Sequence, residues 1–144
     1  MNIRPIVICV FSFNGRVLIA EGYDPTKRQI FYRPLGGGIE FGELSQDALV
    51  REIREELDTA VTNLHYLATL ENIFTFDGRP GHEIVQVYDG QFVDESLYHC
   101  PVIKGREENG QRFTAFWKSL SDFMGKKAPP LYPNGLLELL RQRL

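Results

Sequence analysis

Cysteine is scarce in this chain, and no long apolar segment interrupts its mixture of polar and hydrophobic residues. The two cysteines, Cys9 and Cys100, are not spaced as a disulfide framework or a zinc motif. No apolar stretch approaches the ~18 residues that a transmembrane helix needs. Residues 1–10 contain a single basic residue, Arg4, and no cleavage-type small-residue site, which is not the pattern of a signal peptide. We therefore expect a cytoplasmic protein that does not span a membrane.

Basic charge is not in excess either. Sixteen Lys and Arg residues against nineteen Asp and Glu residues give a formal net charge of -3. Surfaces that follow a nucleic-acid backbone usually carry a basic excess, so extended nucleic acid is not an expected partner. A local basic pocket for one small anion is still compatible with this composition. The length of 144 residues predicts one domain over 1–144.

Hydrophobic periodicity predicts a single α/β domain of the α+β kind. Runs rich in β-branched and aromatic residues predict strands over 3–13, 16–21, 30–33, 64–76, 83–93 and 113–120. Asn14-Gly15 predicts a hairpin turn because both residues tolerate positive φ. Asp77-Gly78, together with 79–81, predicts a second turn.

Helical spacing predicts a helix over 45–57 with Ser45 as its N-cap, and a closing helix over 135–143 with Asn134 as its N-cap. A short helical turn is predicted over 121–124. No regular element is predicted for the glycine run over 36–38, because glycine weakens both helices and strands.

The first helix has an acidic edge beside its apolar stripe. At 100° per residue, Glu52 and Glu56 lie about 40° apart, and Glu55 lies about 60° beyond Glu52. Like charges at this spacing cost a helix a few tenths of a kcal/mol, which a bound Mg²⁺ or Mn²⁺ would offset. Taken alone, the pattern is more typical of a solvated helix face with an Arg51–Glu55 ion pair.

The glycine run immediately upstream of this helix changes the interpretation. Glycine permits the close backbone approach that a metal-bound phosphate requires. A strand, a glycine-rich turn and an acidic helix bring carbonyls, amides and carboxylates into one small volume. Their combination indicates a site for a metal ion and a phosphate group.

These residues resemble a known family signature. Gly37, then Glu43, then the run Arg51-Glu52-Ile53-Arg54-Glu55-Glu56 are separated by five and seven residues, and this spacing is similar to the Nudix box. The approach YRPLGGGIEFG over 32–42, the FWKSL segment over 116–120 and the YPNG segment over 132–135 also follow the family's order. Asp58 and Thr59 depart from the usual Gly and aliphatic residue at the helix exit, where Asp is one of the few alternatives that tolerates the left-handed conformation.

The resemblance implies a MutT-like Nudix fold, a mixed β-sheet sandwiched between helices, and a pyrophosphohydrolase. It implies that a metal-activated water attacks one phosphorus of a diphosphate linkage in a small nucleotide-like substrate, with Mg²⁺ or Mn²⁺ as cofactor and more than one ion bound. Glu52, Glu56 and the Gly37 carbonyl are the implied metal ligands. Glu43 and Glu55 are expected close to the metal, and Arg51 is expected to orient the carboxylates through charge-assisted hydrogen bonds.

Residues outside the box complete the predicted site. Glu107 or Glu108, in the loop before the Trp117 strand, is the candidate general base, with a solvated loop charge as the alternative. Tyr32, Arg33 and Phe74 are candidates for substrate binding, the aromatic rings by stacking on a base and Arg33 by contact with a phosphate. Core packing is the alternative for the two aromatic residues. The lesser candidates are Glu40 as a positioning partner and His82 and His99 as surface or structural residues.

Two other function classes compete with the enzyme. A non-catalytic Nudix module that senses a nucleotide would keep the fold but tolerate loss of box carboxylates, and all of them are present here. A helix-mediated interaction domain would leave the glycine run unexplained. The substrate alternatives are a nucleoside triphosphate, ADP-ribose or another nucleoside diphosphate derivative, and a homodimer through an edge strand is compatible with the pattern.

Overall fold

The β-rich pattern of the sequence folds into two sheets with one helix on each side. The computed structural model describes all 144 residues. Its strands are β1 Ile3–Val10, β2 Ser12–Phe13, β3 Arg16–Asp24, β4 Gln29–Arg33, β5 Leu35–Gly38, β6 Val61–Phe76, β7 Arg79–Phe92, β8 Val102–Arg106 and β9 Arg112–Ser119. Its helices are α1 Ser45–Leu57 and α2 Leu136–Arg143, with 3₁₀ helices at Glu95–His99 and Leu120–Phe123.

The first sheet is mixed and the second is antiparallel. In the first, the order is β5-β1-β7-β6, with β1 and β7 parallel and the other neighbours antiparallel. In the second, the order is β2-β3-β9-β8, and β4 also pairs with β3. No helix in the structure has the length and apolar character needed to cross a membrane.

Strand alternation divides the core between the two helices. On β1, Val7 and Cys9 belong to a buried cluster with Leu49 and Ile53 of α1. The intervening residue Ile8 belongs to a second cluster with Leu136 and Leu140 of α2. Because successive side chains on a strand point to opposite faces, the sheets lie between the helices. The predicted α+β sandwich is confirmed.

The glycine run over 36–38 is a strand, and the prediction that it forms no regular element is wrong. Gly36, Gly37 and Gly38 pair in antiparallel register with Ile8, Val7 and Ile6. A Cβ at Gly36 would lie 2.0 Å from the Val7 carbonyl oxygen. The missing side chain at Gly36 therefore allows this edge strand to lie against β1 more closely than a residue with a Cβ could.

Both predicted helix caps are also wrong. Leu44 occupies the N-cap position of α1 without a side-chain cap, while the Ser45 hydroxyl lies 2.6 Å from the Tyr88 hydroxyl. Gly135 precedes α2 with φ 92°, a left-handed conformation that suits glycine. The Asn134 side chain donates from Nδ2 to the Ile73 carbonyl at 3.2 Å, and the Asn134 backbone N–H donates to Asn72 Oδ1 at 3.0 Å. In each case the side chain that the local pattern assigned to the cap makes a tertiary hydrogen bond instead.

Other boundaries follow the predictions more closely. The predicted strand 3–13 divides into β1 and β2, and the predicted 16–21 strand extends to Asp24. Asn14-Gly15 and Asp77-Gly78 form the predicted turns with positive φ, whereas 79–81 belongs to β7. The predicted helix over 45–57 is confirmed over its full length. Strand β8 and the 3₁₀ helix over 95–99 were not predicted.

Candidate active site

The packing of α1 against β5 brings the glycine run to the acidic edge of the helix. A Cβ at Gly37 would lie 2.3 Å from the Glu52 carboxyl carbon. Glu52 is 5% exposed, so its carboxylate occupies the space that a side chain at position 37 would fill. The absence of a side chain at Gly37 is therefore what allows a carboxylate to reach the sheet.

Arg51 is the centre of the hydrogen-bond network. Its Nε donates to Glu43 Oε2 at 2.8 Å, and its Nη2 donates to Glu43 Oε1 at 2.9 Å. Nη2 also donates to the Gly38 carbonyl at 2.9 Å, and Nη1 donates to Glu52 Oε1 at 3.0 Å. The planar fork of a guanidinium matches a carboxylate in this way, so Arg51 fixes the loop before α1 and the helix together.

Two further carboxylates lie at the edge of this network. Glu55 is 3.4 Å from Arg51 Nη1, and Glu40 Oε1 is 3.8 Å from the same atom. Both are solvent-exposed residues. Exposed ion pairs contribute little to stability. The main contribution of these two carboxylates to the site is therefore negative charge.

The network has opposite effects on the carboxylates it contacts. Hydrogen bonds from Arg51, assisted by the Glu40 backbone N–H, lower the pKa of Glu43 to about 2. The same hydrogen bonding raises the pKa of Arg51. Burial raises the pKa of Glu52, with Arg51 opposing the rise. Glu43 is therefore stabilised as an anion. Burial disfavours the charged form of Glu52, and a nearby cation would reduce that desolvation penalty.

Glu56 is the least satisfied carboxylate of the site. Its Oε1 atom is buried and has no hydrogen-bond partner. Burial, followed by the charge of Glu52, raises the pKa of Glu56 to about 8. A buried acceptor without a partner is uncommon in native proteins, and a divalent cation would satisfy it.

The acidic side chains do not form a complete metal cage by themselves. No three His, Cys, Asp or Glu side chains converge as a ready cluster. Arg51 holds both oxygens of Glu43 and one oxygen of Glu52. The free carboxylate oxygen of Glu56 and the neighbouring Glu52 carboxylate are nevertheless hard oxygen donors of the kind that Mg²⁺ and Mn²⁺ prefer.

Glu56 lies in the wall of a cavity that adjoins a wider cleft. The cavity volume is about 150 Å³, and Arg33, Gly36, Gly37 and Glu56 form part of its wall. It continues into a wider cleft of about 780 Å³, with which it shares six lining residues. Those residues are Arg4, Arg33, Asn72, Glu83, Phe113 and Tyr132.

The structure brings Arg33 and Phe74 to this cleft but not Tyr32. Arg33 lines both parts, and Phe74 lines the wider part. Tyr32 is 9% exposed and packs in the core against Phe123. Alternation along β4 explains the difference, because Arg33 and Phe31 share one face while Tyr32 points to the other. Phe31 lines the cleft in its place, and the same alternation could have identified it from the sequence.

The two candidate general bases occupy different positions. Glu107 lines the wider cleft and forms an ion pair with Arg33. Its backbone N–H donates to the Gln111 carbonyl at 2.7 Å, which fixes the turn that carries it. Glu108 is exposed, and its charge contributes to the raised pKa of Glu52. Glu107 is therefore the better-placed candidate.

The polar residues on the other side of the cavity were not predicted from the sequence. Asn72 and Glu83 line both the cavity and the cleft, and Asn72 is 4% exposed. They lie on β6 and β7, whose strand pattern is unremarkable at these positions. Only the pairing of the two strands brings them together.

A helix-sheet-helix sandwich with a glycine strand against an acidic, arginine-centred helix defines a Nudix-type domain. The family model described as the NUDIX domain matches residues 1–134. The chain belongs to the Nudix family.

Solved structures share this fold at low sequence identity. The MutT Nudix hydrolase from Burkholderia pseudomallei aligns over 100% of both chains, with a TM-score of 0.69 and 22% identity. A Nudix hydrolase from Nitrosomonas europaea aligns over 98% of this chain and 87% of its own, with a TM-score of 0.65 and 17% identity. The MutT protein from Methanosarcina mazei Go1 covers 96% and 91%, with a TM-score of 0.62 and 15% identity.

Among curated proteins, a similar sequence is the NAD-capped RNA hydrolase NudC of Pseudomonas putida (strain W619). It is 35% identical over 68 residues, which is 47% of this chain and 24% of the relative. The match therefore spans about a quarter of that protein's length.

Proposed function

We propose that this chain is a Mg²⁺- or Mn²⁺-dependent pyrophosphohydrolase that cleaves a diphosphate linkage in a small nucleotide-like substrate. The observation that carries the proposal is the buried, unpartnered Oε1 of Glu56 in the wall of the cavity. Membership of the Nudix family supports it. The cleft beyond the cavity offers space for the remainder of a nucleotide.

The metal ligands in this proposal are Glu52, Glu56 and the backbone carbonyl of Gly37. Carboxylate and carbonyl oxygens are the donors that Mg²⁺ and Mn²⁺ prefer. A bound divalent cation would lower the pKa of the attacking water and neutralise charge on the phosphate oxygens. Glu43 and Glu55 supply further negative charge, and Arg51 holds Glu43 and Glu52 in position.

Arg33 and Glu107 supply phosphate binding and proton transfer in this proposal. The guanidinium of Arg33 can form paired hydrogen bonds to a phosphate, and here it is paired with the Glu107 carboxylate. A substrate phosphate that binds the Arg33 guanidinium displaces the Glu107 carboxylate from this ion pair. The released carboxylate accepts a proton from the attacking water as the water oxygen bonds to phosphorus, and the phosphorus–oxygen bond of the anhydride breaks so that the other phosphate leaves with the bonding electrons.

The test is an assay of the purified chain with Mg²⁺ or Mn²⁺ against nucleoside triphosphates, ADP-ribose, dinucleotides and nucleotide sugars. Glu56→Gln removes the negative charge that Glu56 would place on a bound cation, with little change in shape. We expect it to lower kcat/KM by about 100-fold or more, as loss of one preorganised charge-stabilising group does in other sites. Glu138→Gln, on an exposed face of α2, is the matched control and should leave activity unchanged.

Absence of turnover across the panel, with nucleotide binding that Glu56→Gln does not alter, would remove the catalytic proposal and favour a sensor module.

A further inference from the structure

Three polar side chains form a row across three adjacent strands of the mixed sheet. Arg4 on β1 is in register with Glu83 on β7, and Glu83 is in register with Asn72 on β6. All three line both the cavity and the wider cleft. Away from Glu56 and Arg33, most of the cavity wall is apolar, so this row supplies its directional hydrogen-bonding groups.

The orientation of the Asn72 amide is fixed by the backbone. The N–H of Asn134 donates to Asn72 Oδ1 at 3.0 Å, so this atom is the carbonyl oxygen and the other is the NH₂ group. Asn72 Nδ2 donates one hydrogen to Glu83 Oε1 at 3.3 Å. Its second hydrogen has no acceptor within the chain, and Asn72 lines the cavity.

Glu83 keeps acceptor capacity on both oxygens. Oε1 accepts from Asn72, and Oε2 lies 3.9 Å from Arg4 Nη1, while the Glu83 side chain is 19% exposed. A carboxylate can accept about four hydrogen bonds. The row therefore offers a ligand one amide donor followed by two carboxylate acceptors.

We propose that Asn72 and Glu83 select guanine as the base of the substrate, an inference that rests on the proposed function and names its substrate class. Guanine presents a carbonyl oxygen followed by a ring N–H and an exocyclic amine along one edge. The carbonyl accepts from Asn72, and the two N–H groups donate to the oxygens of Glu83.

The other common bases do not match this order of donors and acceptors. Adenine has no second N–H donor for the carboxylate. Cytosine and uracil place a carbonyl oxygen against a carboxylate oxygen, and two facing acceptors repel. A site whose buried polar groups are left unpaired discriminates strongly against the wrong ligand.

Two phenyl rings provide stacking surfaces beside the row. Phe31 and Phe74 line the wider cleft. Each ring lies across a glycine on the neighbouring strand, so that a Cβ at Gly22 or Gly81 would lie 2.3 Å from the Cζ atom of the ring. Stacking on aromatic rings holds any base, which leaves discrimination among bases to Asn72 and Glu83.

Binding of GMP, AMP, CMP and UMP to the purified chain, measured by titration calorimetry, tests the inference without turnover, because monophosphates contain no anhydride. We expect GMP to bind roughly 10- to 100-fold more tightly than the others, as hydrogen bonds to a charged group would give. Glu83→Gln should abolish that preference. The control Glu71→Gln changes an exposed carboxylate beside Asn72, on the opposite face of β6, and should preserve it.

Rates for the four nucleoside triphosphates separate this inference from the proposed function. GMP selectivity that Glu83→Gln removes, without turnover of any nucleotide, would support the base preference and reject the hydrolase. Equal binding of the four monophosphates, or an equal loss for all four in Glu83→Gln, would reject the base preference whatever the rates.

Asn72→Asp is a second variant for the case in which Glu83→Gln fails to fold. It keeps an acceptor for the Asn134 N–H but places an oxygen where the amide donor stood. GMP binding should weaken by about 10-fold or more relative to AMP binding. An unchanged ratio of the two affinities would contradict the assignment.

Discussion

The guanidinium of Arg51 and the carboxylate of Glu43 form a two-point hydrogen bond, with Nε–Oε2 and Nη2–Oε1 distances of 2.8 Å and 2.9 Å. The two residues come from different elements, since Arg51 is on α1 and Glu43 is in the preceding loop. Because Arg51 also donates to Glu52 and to the Gly38 carbonyl, this one side chain sets the relative positions of loop, helix and glycine strand.

Replacement of Arg51 by Lys should therefore damage the site while keeping the charge. A lysine ammonium cannot form the planar fork, so we expect kcat/KM to fall by roughly 10- to 100-fold, which is the effect of losing a supporting contact to a metal ligand, the role proposed for Glu52. Steady-state kinetics with the substrate found in the panel measure this change. Arg54→Lys, an exposed change on the same helix, is the control, and equal activity of the two variants would contradict the role given to Arg51.

Two neighbouring glycines should respond differently to alanine. A Cβ at Gly36 meets the Val7 backbone at 2.0 Å, whereas a Cβ at Gly37 meets the movable carboxylate of Glu52. We expect Gly36→Ala to lower the free energy of unfolding by about 2–3 kcal/mol. Gly37→Ala should cost less than about 1 kcal/mol but displace Glu52 and lower kcat/KM. Urea unfolding and kinetics on both variants measure the contrast, and a reversed order of stabilities would contradict it.

The acid dependence of stability should depend on Asp24. Burial acts to raise the pKa of Asp24, but backbone N–H donors from Lys27, Asp77 and Thr26 outweigh it and lower that pKa. A carboxyl with a lowered folded-state pKa stabilises the fold above its unfolded pKa of ~3.9 and loses that effect as the pH falls. The destabilisation caused by Asp24→Asn should therefore be larger at pH 7 than at pH 3.

Urea midpoints of the wild type and Asp24→Asn at the two pH values provide the measurement. Asp94→Asn is a useful comparison, because Asp94 also accepts a backbone N–H but is exposed. A stability difference for Asp24→Asn that does not change with pH would show that the backbone donors do not hold the charged form.

The two thiols should differ in reactivity. Cys9 is fully buried, and burial, followed by the charge of Asp89, raises its pKa well above the usual value. Cys100 is only partly buried. Because the thiolate is the reactive form, a maleimide at pH 7.5 should modify one thiol of the native chain and two after unfolding in urea. Mass spectrometry identifies the sites, and rapid native labelling of Cys9 would be the contrary result.

Helix α1 could be predicted from the sequence because its information is local. Residues 45–57 contain no glycine or proline, and Leu49, Ile53 and Leu57 recur at helical spacing. The Nudix resemblance added the identity of the acidic cluster, which the structure places against Gly37. The N-cap of this helix was missed because Ser45 makes a tertiary contact with Tyr88, and tertiary contacts leave no mark in a local pattern.

The polar side of the cavity could not be predicted for the same reason. Asn72 and Glu83 are eleven residues apart, and only the register of β6 on β7 makes them neighbours. Tyr32, a predicted substrate contact, packs in the core instead of lining the cleft, because strand alternation points its side chain to the opposite face. The acidic side of the cavity was therefore predicted from the sequence, whereas the polar side formed by Asn72 and Glu83 was not.

The alternation of β1 has a consequence for how the chain tolerates insertions. In its buried half, Val7 and Cys9 pack under α1, whereas Ile6, Ile8 and Val10 pack under α2, and its backbone pairs with the glycines of β5. A shift of one position along this strand would exchange the two faces at once and move Gly37 away from Glu52. A single inserted residue in β1 would therefore disrupt both core clusters and the acidic site together. The register of this one strand thus sets the positions of both helices and of the glycine strand.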